Sequence, residues 1–168
     1  MLPNSFLSQV LQVSVVTRDM DKALEEYTHR LGIGPWRVYT FEPPHLSQTK
    51  LRGKDTHYTM RLALAWVGNT IWELVQPLEG ASVYKEFLGT HGEGIHHVAF
   101  ATGNLSFAEA VERFTAQGCP IVMEGVWCGI HYAYLETEEA AKTIFEIWDW
   151  PPGMQLPEPE KWYPYKPE

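Results

Sequence analysis

The stretch Gly92-Glu93-Gly94-Ile95-His96-His97-Val98-Ala99-Phe100 has a counterpart 85 residues earlier, because Gln12-Val13-Ser14-Val15-Val16 aligns with His97-Val98-Ala99-Phe100-Ala101. Each apolar run begins with a side chain able to ligate a metal, and each leads into a segment of helical periodicity. Residues 21–31 set Leu24, Tyr27, Thr28 and Leu31 on one face, and residues 106–117 do the same with Phe107, Ala110, Val111 and Phe114. Ser106 with Glu109 has the pattern of a capping box. Gly32 and Gly118 stand where a left-handed residue ends a helix. Strand-like runs follow at 36–41, 56–67 and 70–75 after the first helix, and at 120–123, 130–135 and 143–148 after the second. The chain therefore reads as strand, helix and three strands, written twice.

Composition limits what such a unit can do. Thirteen Lys and Arg against 21 Asp and Glu leave a formal net charge of -8 over 168 residues. A nucleic-acid partner is excluded on this balance, since neutralising phosphates takes clustered cations. Lys50, Arg52 and Lys54 make the one basic cluster, and a solvated loop explains them. Cys119 and Cys128 are too few for a disulfide framework and lack C-x-x-C spacing, so reduced thiols and a cytoplasmic setting are expected. Met1 to Phe6 lack the basic region of a leader, and no run reaches the roughly 18 apolar residues of a spanning helix, so no membrane association is expected.

Three further segments carry a reading. Val67-Gly68-Asn69-Thr70 has the composition of a hairpin turn. Residues 43–55 form a long polar stretch with two prolines, read as a loop and a candidate lid. Residues 151–168 hold half of the twelve prolines together with Trp162, Tyr163 and Tyr165, a composition that runs extended over a surface. Such a tail covers a pocket, packs across a dimer interface or braces its own domain.

The candidate chemistry lies in four residues. Besides Gln12 and His97, each half has a Glu inside its final strand, in Ile71-Trp72-Glu73-Leu74-Val75 and Ile144-Phe145-Glu146-Ile147-Trp148. A single strand Glu is ordinarily exposed, whereas two at matching positions of two repeats point inward as a set, since a buried carboxylate needs a partner or a metal. One imidazole nitrogen and three oxygens suit a divalent zinc, cobalt, nickel, manganese or magnesium ion. Such an ion would polarise a carbonyl and acidify the neighbouring C–H. Alternation along a strand predicts that His96 faces away from His97, in a structural role. His131, on a probable strand, is a candidate to hydrogen-bond substrate. Most of the tryptophans read as core, with one or two lining an apolar pocket.

On Val16-Thr17-Arg18-Asp19-Met20-Asp21-Lys22-Ala23, on residues 67–78 from Val67 to Leu78, and above all on Phe87-Leu88 and residues 92–100, the chain resembles the vicinal oxygen chelate superfamily, nearest to its methylmalonyl-CoA epimerase group. The resemblance covers residues 10 to about 150. It implies an α+β fold of two tandem βαβββ modules, residues 8–78 and 92–150, forming an open half-barrel sheet around a metal or ligand site, with 151–168 as a tail. It also implies Gln12, Glu73, His97 and Glu146 as ligands of a divalent metal, Glu146 and Glu73 as catalytic carboxylates, a small-molecule carbonyl substrate and a homodimer. Gln12 departs from the histidine usual in the epimerases, and a Gln-Glu-His-Glu set is similar to that of zinc-type glyoxalases. The family's second acid/base has no clean counterpart, so Glu42 and His45 stand as substrate-side candidates beside His131. The expected activity is a metal-dependent isomerase or lyase working next to the carbonyl of a small 2-oxo or acyl-CoA substrate. The alternatives are a non-catalytic binding or resistance protein and, with Gln12 in a histidine's place counting against it, an extradiol dioxygenase.

Overall fold

The computed structural model describes residues 5–168; residues 1–4 of the N-terminal segment read for a leader lie outside it. The elements are β1 (Gln9–Val16), α1 (Met20–His29), β2 (Trp36–Phe41), β3 (Leu46–Leu51), β4 (Lys54–Asp55), β5 (Tyr58–Val67), β6 (Thr70–Gly80), α2 (Val83–Thr90), β7 (Gly94–Ala101), α3 (Phe107–Ala116), β8 (Ile121–Trp127), β9 (Ile130–Leu135), α4 (Glu138–Ala141), β10 (Ile144–Asp149) and β11 (Lys161–Tyr163). All the strands join one sheet in the order β11-β2-β5-β6-β1-β7-β10-β9-β8-β3-β4. The mixed α+β class and the twice-written strand-helix-strands order are those expected.

The two halves share one register. The first strand of each pairs in parallel with the last: Gln12 opposes Ile71 and Ser14 opposes Glu73 in one half, while His97 opposes Ile144 and Ala99 opposes Glu146 in the other. The halves then join antiparallel through β1 and β7, at the centre of the sheet. Each of these central strands carries a register shift beside its metal-capable residue. Leu11 is the extra residue before Gln12, and His96 is the extra residue before His97. A bulge of this kind re-aims the side chain that follows it.

The helices cover the outer face. On α1, Met20 and Leu24 are buried against Trp36, Val38, Ala63 and Leu74; on α3, Ala110 and Phe114 are buried against Ala133, Leu135 and Ile147. Asp19 caps α1 by accepting from the Lys22 N–H at 3.0 Å, and the Ser106–Glu109 capping box opens α3 as expected. Leu31, placed on the buried face from sequence, is 63% exposed because α1 ends at His29. The inner face is concave. The sheet curls until Phe41 of β2 stacks on Trp127 of β8 with ring centroids 4.0 Å apart, although six strands separate β2 from β8 in the sheet order.

Residues 43–55 are not a loop. They hold β3 and β4, and β3 pairs with β8 of the other half, setting Leu46 opposite Trp127 and Lys50 opposite Glu124. Leu46 is buried, and its neighbours Ser47 and Gln48 are exposed, so the segment has too few apolar residues for periodicity to reveal a strand. The sequence also gives no warning of α2, which bridges the halves, or of α4. The strand expected at 120–123 continues to Trp127. Among the described residues no helix is long and apolar enough to cross a membrane.

Candidate functional site

The shared register brings the four residues together. Gln12, Glu73, His97 and Glu146 come from β1, β6, β7 and β10, the four strands at the centre of the sheet, and each is at most 4% exposed. His97 Nε2 is the meeting point. It lies 3.2 Å from Glu73 Oε2, 3.4 Å from Glu146 Oε2 and 3.3 Å from Gln12 Nε2, and the Gln12 amide also donates to Glu146 Oε2 at 3.4 Å.

The electrostatics follow from burial and proximity. Burial works against a charge on His97, but the Glu146 and Glu73 carboxylates outweigh it and raise its pKa to about 9. Burial raises the Glu146 carboxyl above the usual range, with the nearby imidazolium opposing the shift. Behind His97, the bulge breaks the alternation that would have sent His96 to the other face. The two Nδ1 atoms lie 2.8 Å apart, and His96 packs against Tyr84 and Phe87 of α2. Burial, then the neighbouring His97, hold His96 well below the usual histidine range. When His97 carries charge, its Nδ1–H therefore donates to a neutral His96.

The donor set fits a divalent cation. A single Nε2–H cannot serve both carboxylates, and Glu73 Oε2 is buried without a hydrogen bond, so its approach to His97 is an electrostatic contact rather than an aligned bond. Separations of 3.2–3.4 Å between donors are those of ligands sharing one ion at about 2.0–2.2 Å. A half-turn of the Gln12 amide would present Oε1 in place of Nε2. Among the described residues no three His, Cys, Asp or Glu side chains stand as a ready-made cage. The two carboxylates meet His97 Nε2 at one point, with the Gln12 amide as the fourth member of the cluster.

Above the cluster is a cavity of about 60 Å³ with Gln12, Glu73 and Glu146 in its floor. Its walls are apolar and aromatic: Met60, Leu62 and Leu64 on β5, Ile130, Tyr132 and Tyr134 on β9, and Phe41, Trp127, Trp148, Trp150 and Leu156 around the mouth. Tyr134 stands opposite Glu146 on the neighbouring strand, and its hydroxyl lies 2.6 Å from that of Tyr84. Tyr132 and Tyr58 pair their hydroxyls at 2.9 Å. These tyrosines and the β5 residues escaped the sequence reading, although every second residue of both strands is large and apolar or aromatic, which is the signal of a strand face turned inward.

The other predicted residues are not brought to the cavity. His131 alternates with Tyr132 on β9 and faces outward, where its Nε2 lies 3.0 Å from Glu124 Oε2 and its ring packs on Phe107 of α3. Glu42 and His45 are exposed between β2 and β3. Lys50 lies 3.7 Å from Glu124, and Arg52 is paired with Glu86 at 2.7 Å. The tail does two of the things its composition allowed. It braces the edge of the sheet by pairing β11 with β2, and it adds Leu156 to the cavity wall beside Trp150, the residue that precedes the tail.

Residues 11–134 match the family described as Glyoxalase/Bleomycin resistance protein/Dioxygenase superfamily. No curated protein matches the chain. Among solved structures, a hypothetical protein from Bacillus halodurans is 19% identical, with a TM-score of 0.63, over 88% of this chain and 98% of that one. Methylmalonyl-CoA epimerase from Mycobacterium tuberculosis is 21% identical, with a TM-score of 0.59, over 88% and 91%. A variant of Streptomyces coelicolor methylmalonyl-CoA epimerase, solved with 2-nitronate-propionyl-CoA, is 17% identical, with a TM-score of 0.58, over 84% and 94%. Likeness at these identities concerns the fold alone.

Proposed function

The chain belongs to the Glyoxalase/Bleomycin resistance protein/Dioxygenase superfamily, and from that premise we propose that it is a metal-dependent isomerase or lyase that moves a proton next to the carbonyl of a small substrate. The observation that carries this reading is the convergence of Gln12, Glu73 and Glu146 on His97 Nε2 at the floor of the cavity. A divalent zinc, cobalt, nickel, manganese or magnesium ion there would supply Lewis-acid polarisation of the carbonyl. Gln12 and His97 would hold it as neutral donors, and Glu73 would hold it as an anion. Glu146 would be the fourth ligand and the general base, taking the proton from the carbon beside the carbonyl. Glu73 occupies the equivalent place in the other half and is the second acid/base. A proton returned to the opposite face of the same carbon epimerises it, and one returned to the neighbouring carbon gives a glyoxalase-type isomerisation. The apolar walls keep bulk water from the carbanion formed between the two transfers. All four donors come from one chain, and a cytoplasmic homodimer completes the reading.

The aromatic walls also favour a second reading, a binding protein that holds a small compound without turnover. Metal analysis separates the two. On the first reading, the purified protein takes up one equivalent of Co²⁺ or Zn²⁺ and exchanges solvent deuterium into the C–H beside the carbonyl of a 2-oxo substrate, while His97→Ala and Glu146→Ala lose both properties. Metal content undiminished in both variants would refute the proposed site.

A further inference from the structure

We propose that this site takes a small, uncharged carbonyl compound bearing an aromatic group, and that it excludes acyl-CoA. The proposal deepens the functional reading above and rests on it for the role of the four donors.

The first ground is charge. The residues lining the cavity include two carboxylates, Glu73 and Glu146, and no Lys or Arg. A ligand arm carrying phosphates would find no Lys or Arg in that lining to pair with. Arg52 is held by Glu86 and Lys50 lies beside Glu124, while Arg37, in the groove that shares Trp150 and Leu156 with the cavity, is engaged by the Trp66 and Trp162 rings at 4.9 and 5.2 Å.

The second ground is the roof. An acyl-CoA needs a mouth through which its long arm can leave, and here the chain's own C-terminal strap forms one side of that mouth. Trp150 and Leu156 line the cavity from above. The strap is fastened along its length: Trp150 Nε1–H donates to the Met154 carbonyl at 3.0 Å and Tyr39 Oη–H to the Pro157 carbonyl at 3.0 Å. The Glu160 carboxylate then accepts from both the backbone N–H and the hydroxyl of Thr40, at 2.7 and 2.9 Å, before β11 adds to β2. A strap held by this many bonds is a wall of the site.

The third ground is surface chemistry. Phe41, Trp127, Trp148, Trp150 and Tyr132 present aromatic area around the cavity, a surface on which a flat apolar ring can stack. The oxygens of the compound would face the floor and its ring the roof.

The test is calorimetric titration of the full chain, with and without Co²⁺, using phenacyl alcohol as the neutral aromatic probe and propionyl-CoA as the thioester. Phenacyl alcohol is expected to bind saturably, and propionyl-CoA to give no binding heat. Leu156→Trp, which fills the space under the roof, should weaken phenacyl alcohol by about tenfold or more while leaving Co²⁺ uptake unchanged. Leu156→Ala, the variant safer to fold, should retain the probe and admit a larger naphthyl analogue that the wild type rejects. Propionyl-CoA binding as tightly as phenacyl alcohol, no binding of phenacyl alcohol in either metal state, or indifference to both Leu156 variants would overturn the proposal. Failure to take up Co²⁺ with probe binding intact would overturn the functional reading and leave the ligand class standing.

Discussion

At the residue scale, His97 has the least freedom of the four donors. Fully buried, it is held between two carboxylates on its Nε2 side and His96 on its Nδ1 side. Its folded pKa of about 9 stands above the ordinary 6.5, so the stability this charge contributes is fully present below pH 6.5 and is lost as pH rises through 9. The raised carboxyl of Glu146 acts in the same direction. The metal-free protein should therefore melt at progressively lower temperature from pH 6.5 to 9, and Glu146→Gln should flatten that slope; scanning calorimetry across the window checks it. A divalent cation must displace the His97 proton, so its apparent affinity should rise by about tenfold per pH unit over the same window. Co²⁺ titrations at its two ends would show no difference if His97 were not a ligand. His97 and Glu146 could be singled out from one sequence because they recur with Gln12 and Glu73 at matching positions of a repeat. His96 was misplaced because strict alternation holds only where a strand has no bulge.

At the element scale, the central strands keep one face turned into the cavity, and their neighbours supply its walls by the same two-residue period. On β8 this packing leaves no room at Gly125. A Cβ there would lie 2.6 Å from Tyr132 Oη and 2.9 Å from Tyr58 Oη, the two hydroxyls that bond to each other. Gly125→Ala should destabilise the fold by about 1–3 kcal/mol, the range for forced overpacking, which in a chain of this size lowers the melting midpoint by roughly 2–12 °C. An unchanged midpoint would mean that the tyrosine pair yields without cost. The helices were legible in sequence because capping and apolar spacing are short-range signals. The strand β3 was not, since its hydrogen bonds come from β8, more than seventy residues further along.

At the scale of the whole molecule, the two halves act as one site, since neither half alone has more than two of the four donors. Binding of a cation at a concentration about a hundredfold above its Kd should stabilise the folded chain by about 2.7 kcal/mol, raising the melting midpoint by roughly 5–10 °C. Glu146→Ala should abolish that rise, as a thermal melt with Zn²⁺ or Co²⁺ would report. The sequence by itself determined the duplication, the two outer helices, the hairpin turn at 68–69 and the four candidate donors, because repetition, apolar period and caps are properties of neighbouring residues. The tertiary structure alone decided that these donors meet on one nitrogen, that His96 stands behind His97, that residues 43–55 are a sheet edge and not a lid, and that the tail adds to the cavity wall. Each of those outcomes depends on pairing between distant strands, on β1 with β7, β3 with β8 and β2 with β11, whose register is set by the burial of both partners and cannot be read from either one.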